Sequence, residues 1–177
     1  MDKVKEIIIR YVLAFFPFIF FNQVYWFLKY ITFNMLSLIF SLFAKVNTNF
    51  SENTIYINEQ SILLIEPCIA VSAFILLFLL NITSPDIDFK KRIYSFFLSI
   101  IFLFIFNIIR IIFLFSIFNF QFFDIVHLIV WYGLSTLVVF LDWILMIKLF
   151  NIKTIPVISD IIYLIFYIKQ DIKRSKS

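Results

Sequence analysis

Long apolar runs separated by short polar breaks dominate the chain. Met1 to Arg10 carries Lys3, Lys5 and Arg10, and an apolar run follows from about Ile7 to Leu28. Bulky Tyr25, Trp26 and Phe27 stand where a signal peptide would need small residues for cleavage, so the run predicts an uncleaved first transmembrane helix. Tyr25, Trp26, Lys29 and Tyr30 form its far interfacial belt. Ile31 to Ala44 is apolar but, at roughly 14 residues, below the ~17–25 that cross a bilayer. It reads as a segment lying along the outer interface or tucked back against the first helix. Lys45 to Ser61 is the clearly polar stretch. Thr54 to Ile57 and Ser61 to Ile65, around Asn58-Glu59-Gln60, read as two short strands and their turn.

Pro67 sits where a first helical turn tolerates it, and a helix is expected from about Cys68 to Asn81, stopped by Thr83-Ser84-Pro85-Asp86. Ile93 to about Phe118 forms the next span, Asn119 to Asp124 a short outer loop, and Ile125 to about Ile147 the return, ending at Lys148 and Lys153. Ile155 to Ile168 is short and carries Pro156 and Asp160. Its basic tail, Lys169 to Ser177, favours a cytoplasmic interfacial helix, with a fifth span left open. The expected fold is an all-α polytopic membrane protein of four or five transmembrane helices, with a small extracytoplasmic hairpin before the Cys-bearing helix. It forms one integral membrane domain over residues 1–177, with a catalytic core at about 55–150.

Composition strengthens this picture. Of the residues, 63% are hydrophobic and 15% charged, and the mean hydropathy is +1.04. A soluble domain of this size lacks the polar surface to cover that much apolar area. A single Gly excludes Gly-rich phosphate loops and GxxxG pairing. The net charge of +4 belongs to residues flanking the apolar runs, which speaks for membrane topology and against nucleic acid. The basic N-terminus and Lys90-Lys91-Arg92 mark the cytoplasmic side of a multi-pass plasma-membrane protein.

Three residues stand out chemically. Cys68 is the only cysteine, His127 the only histidine, and Arg110 the only charge deep in a long Phe/Ile run. At ~1.5 Å per helical residue, Arg110 lies roughly 27 Å from Arg92, His127 roughly 32 Å from Lys148, and Cys68 roughly 26 Å from Pro85. Against a core of ~30 Å, all three fall near the outer face. Each has a plainer reading alone: an apolar filler for Cys68, a snorkelling cation for Arg110, an interfacial side chain for His127. Together they form a set for acyl transfer. An imidazole or guanidinium favours the thiolate, a histidine moves the protons, and an arginine stabilises an oxyanion. Asn107, one turn before Arg110, is placed to orient it or to donate to the oxyanion. Asp124 is placed to fix the tautomer of His127 or to cap a helix. Glu66 either pairs with Arg110 or is solvated. One Cys and one His leave a transition metal short of ligands, so neither a metal site nor a cofactor is expected.

A cysteine opening a helix after an outer hairpin, then Asn107-Ile108-Ile109-Arg110-Ile111 late in the next span, then His127 at the outer start of the following one, resembles the exosortase/archaeosortase family, as a short archaeal-type member. The resemblance covers about Ile55 to Phe150. It implies a membrane-embedded cysteine protease or transpeptidase with Cys68 as nucleophile, Arg110 as transition-state stabiliser and His127 as acid/base. Its substrates would be secreted proteins ending in a short motif, a transmembrane helix and a basic cluster. They would be cut near the outer membrane face and passed from a Cys68 thioester to an acceptor, with a lipid among the open choices. The chain departs from the family in carrying Ile69 and Ala70 where a small hydroxyl residue and then Gly are common. The competing expectation is a non-catalytic membrane scaffold or assembly subunit in which Arg110 pairs with an acidic partner helix.

Overall fold

The computed structural model describes residues 3–85, 87–152 and 155–175, with 170–175 by backbone alone. Asp86 of the expected stop signal, Lys153 and the end of the basic tail lie outside the described residues. The chain is mostly helical, with a three-stranded sheet inserted before residue 66.

The N-terminal apolar run is broken where one span was expected. Helix α1 (Lys3–Ala14) stops before Phe15, a single turn α2 (Phe16–Ile19) follows, and α3 (Phe21–Ser41) then runs unbroken. Pro17 explains the first break, since it has no N–H and its ring crowds the carbonyl four residues earlier, at Leu13. The continuity of α3 corrects the expected stop at Lys29. That residue is 4% exposed, and its ammonium sits over the rings of Phe50 at 4.4 Å and Trp26 at 4.6 Å. A cation satisfied by aromatic faces can remain inside a packed helix face. The expected belt and the apolar Ile31 to Ala44 stretch therefore merge largely into one 21-residue helix.

Strands β1 (Val46–Asn49), β2 (Thr54–Ile57) and β3 (Gln60–Leu63) form an antiparallel meander. Ile55 pairs with Ile62, and Val46 with Ile57. The β2–β3 hairpin is the expected one; β1 is an addition. Alternation on β2 turns Ile55 and Ile57 inward, against Phe33, Leu36 and Phe40 of α3 and against Ile108 and Ile111.

Beyond the sheet, α4 (Glu66–Ile69) and α5 (Val71–Thr83) replace the single expected helix, because Ala70 between them is left-handed at φ 57°, ψ 32°. Helix α6 (Phe89–Ser116) is the central column and touches α3, α4, α5 and α8. Helix α7 (Phe123–Leu128) passes through a π-helical turn, Ile129–Leu134, into α8 (Ser135–Phe150), which left-handed Asn151 terminates. Helix α9 (Ile158–Ser175) closes the chain, and Arg10 of α1 donates to Asp160 of α9 at 2.7 Å in a buried ion pair.

Three helices are long and apolar enough to cross a membrane: Phe21–Ser41, Phe89–Ser116 and the continuous Phe123–Phe150. Only 33%, 33% and 28% of their apolar windows are buried within the fold, so most of that surface faces outward, as lipid-facing helices require. Helix α5 is equally apolar but has 13 residues. The inner core gathers Leu28, Ile69, Val71, Phe74, Leu77, Leu103 and Val138, where α3, α5, α6 and α8 meet.

Candidate active site

The three singled-out residues line one cavity. It has a volume of about 310 Å³ and is walled by β3 (Ser61, Ile62, Leu63), by Pro67 and Cys68 of α4, by Arg110, Ile111 and Phe115 of α6, and by Phe123, His127 and Trp131 of α7 and the π-helical turn. They also share one end of the bundle. Arg110 is six residues short of the end of α6, about 9 Å. His127 is four residues into α7, about 6 Å, and Cys68 precedes the start of α5.

Cys68 sits in a single helical turn held from both sides. Pro67 starts that turn without a missing hydrogen bond, and the Cys68 N–H donates to the Ile65 carbonyl at 2.9 Å. Left-handed Ala70 then ends the turn and leaves its carbonyls without helical partners. Helix α6 supplies donors instead. Asn107 Nδ2 donates to the Cys68 carbonyl at 2.9 Å. One terminal nitrogen of Arg110 donates to the Pro67 carbonyl at 2.9 Å and, more weakly, to that of Cys68 at 3.4 Å. Asn107 and Arg110 are three apart and so face the same way on α6. Both are buried, at 2% and 7% exposure.

The other terminal nitrogen of Arg110 donates to Ser135 Oγ at 2.8 Å. Its Nε is buried and without a partner among the described residues. The thiol is half-buried. Burial pushes it above the ordinary cysteine value, and the Ile65 backbone and the nearby Arg110 charge pull it back. The His127 ring stacks on Phe123 at 5.5 Å and leans on Trp131 at 6.1 Å, which fixes its plane along the cavity wall.

The supporting residues divide. Asn107 is drawn directly onto the cysteine turn. Asp124 is exposed, and no hydrogen bond or ion pair joins it to His127 among the described residues. It lies in the first turn of α7, where a carboxylate favours the helix dipole. Glu66 is exposed and forms no ion pair with Arg110 among the described residues. It lines a neighbouring cavity of about 520 Å³, together with Arg110, Trp131 and Ser135. Among the described residues no cluster of three or more His, Cys, Asp or Glu side chains gathers to hold a metal.

Sequence reasoning missed Ser135. It lies eight residues after His127, and eight residues of regular α-helix put two side chains about 80° apart. The intervening π-helical turn alters that phase, and nothing in Ile129-Val130-Trp131-Tyr132-Gly133-Leu134 announces it. No family model, curated protein or solved structure matches the chain.

Proposed function

We propose that the chain is a membrane-embedded cysteine transpeptidase or protease that cleaves C-terminal sorting signals of secreted proteins. The observation that carries this reading is the convergence of Cys68, Arg110 and His127, from three separate elements, on one cavity. The likeness to the exosortase/archaeosortase pattern supports it from the side of sequence. Ala70 adds to it: this residue holds a left-handed conformation at the position where that family commonly carries Gly, the residue that adopts it without strain.

In this reading α5 is a fourth, short span, and α9 lies on the cytoplasmic face, tied to α1 by Arg10 and Asp160. The N-terminus and Lys90-Lys91-Arg92 face the cytoplasm of a multi-pass plasma-membrane protein, and the sheet and cavity face outward. The Cys68 thiol loses its proton to His127, and the thiolate attacks the scissile carbonyl carbon. Arg110 stabilises the oxyanion of the tetrahedral intermediate. The C–N bond breaks, His127 returns the proton to the leaving amine, and the secreted protein remains as a thioester on Cys68. An acceptor nucleophile or water, deprotonated by His127, then attacks the thioester and regenerates the thiol.

The competing scaffold reading needs Arg110 for an acidic partner helix. It gives no reason for the convergence of Cys68 and His127 on the same cavity. Cys68→Ala tests the choice. It is expected to abolish processing of a substrate with a motif, a helix and a basic tail while the protein still inserts. Wild-type processing by Cys68→Ala would exclude the enzymatic reading.

A further inference from the structure

We propose that Ser135 is a positioning residue for Arg110, delivered to it by the π-helical turn that separates Ser135 from His127; this rests on the transpeptidase reading above.

The hydroxyl is oriented by its own bonds. Ser135 Oγ donates to the Val130 carbonyl at 3.0 Å, and the Ser135 backbone N–H bonds the same carbonyl across five residues. The single hydroxyl proton is thus spent, and the oxygen can face Arg110 only as an acceptor. Arg110 donates to it at 2.8 Å. The guanidinium is thereby held at opposite edges, by Ser135 on one terminal nitrogen and by the Pro67 carbonyl on the other. A planar group pinned at two nitrogens has a fixed orientation, including that of its Nε–H, which is buried and unpartnered among the described residues.

The wide turn brings Ser135 closer in phase to His127. Phe123, His127, Trp131 and Ser135 are spaced by four, and a row of that spacing drifts about 40° per step around a regular α-helix. His127 and Ser135 would then differ by about 80°, toward the two margins of one helix face. A π-helical turn inserts one residue into the winding, so eight positions cover the rotation of about seven and the two side chains differ by about 20°. His127 accordingly lines the cavity of Cys68, Ser135 lines the adjoining one, and Arg110 and Trp131 border both. A side-chain bond to the cation and a locally rewound backbone are independent observations, and they meet at the same residue.

The test uses the full-length protein in membranes, a substrate protein carrying a motif, a helix and a basic tail, and five variants: Ser135→Ala, Ser135→Thr, Arg110→Lys, the double variant Ser135→Ala/Arg110→Lys, and Cys68→Ala. Ser135→Ala is expected to lower kcat roughly tenfold with KM unchanged, the pattern of an interaction used in the transition state. Ser135→Thr, which keeps the hydroxyl, restores most of the rate. In the double variant the loss of the serine adds little to that of the arginine, because residues acting as a unit are not additive. Wild-type kcat in Ser135→Ala, failure of Ser135→Thr to rescue, or full additivity overturns the assignment. Loss of processing in Cys68→Ala alongside any of these leaves the transpeptidase reading standing while Ser135 falls. Processing by Cys68→Ala removes both.

Discussion

Helix α6 sends one arginine to each end of the α4–α5 segment, and the two do different work. At one end Arg92 donates to the carbonyls of Asn81, Ile82 and Ser84, the last carbonyls of α5 and its cap. Asn81 returns to Ser95 at 2.7 Å. This is the ordinary problem of a helix terminus solved by a side chain on a neighbour. At the other end Arg110 also donates to carbonyls, but those belong to a turn broken by left-handed Ala70, its second anchor is a hydroxyl on a rewound helix, and the turn carries a thiol at a cavity wall. One arginine closes a regular element; the other holds an irregular one. Irregular backbone held in place by buried donors is where strain is commonly tied to function.

The contrast can be broken from either end. The largest expected effect is at Arg110. Arg110→Leu should cut processing by about 10²–10³-fold, the loss seen when one oxyanion donor is removed. The check is the rate per correctly inserted molecule; a rate within threefold of wild type would deny Arg110 any part in the chemistry. Next comes the buried Arg10–Asp160 pair. Arg10→Leu removes the salt-bridge partner of Asp160 and should cost about 3 kcal/mol of stability, read by melting in detergent. Adding Asp160→Leu should recover much of that, since an apolar pair leaves no orphaned charge. Arg92→Leu follows, at about 2 kcal/mol for carbonyls left uncapped, with processing per folded molecule unchanged. The smallest change sharpens the Arg110 end. Ala70→Gly should raise stability by up to about 1 kcal/mol by relieving the left-handed strain, and Ala70→Val, β-branched there, should lower it.

What could be read in advance follows the same division. The convergence of Cys68, Arg110 and His127 on one cavity was legible because such residues are expensive in an apolar background: a lone arginine inside Phe and Ile, a lone cysteine and a lone histidine. The β2–β3 hairpin was legible through its alternation and its polar turn. The irregular backbone was not. Ala70 is a good helix former and gives no notice of a left-handed turn. Val46 to Asn49 has too few β-branched or aromatic residues to announce a strand. Lys29 looked like a membrane boundary because its aromatic partner Phe50 lies in a different element. Pro17 did signal a break that the long apolar run concealed. Ser135 was hidden because its alignment with His127 depends on the π-helical turn, which the residues of that turn do not announce.

The most direct test of the central claim is to trap the covalent intermediate. Protein incubated with a motif-bearing substrate and quenched in acid should yield the Cys68 peptide carrying the substrate as a thioester. The adduct should be released by hydroxylamine, and absent from Cys68→Ala, which should also fail to process. A processed substrate with no adduct on Cys68, and equal processing by Cys68→Ala, would contradict the account.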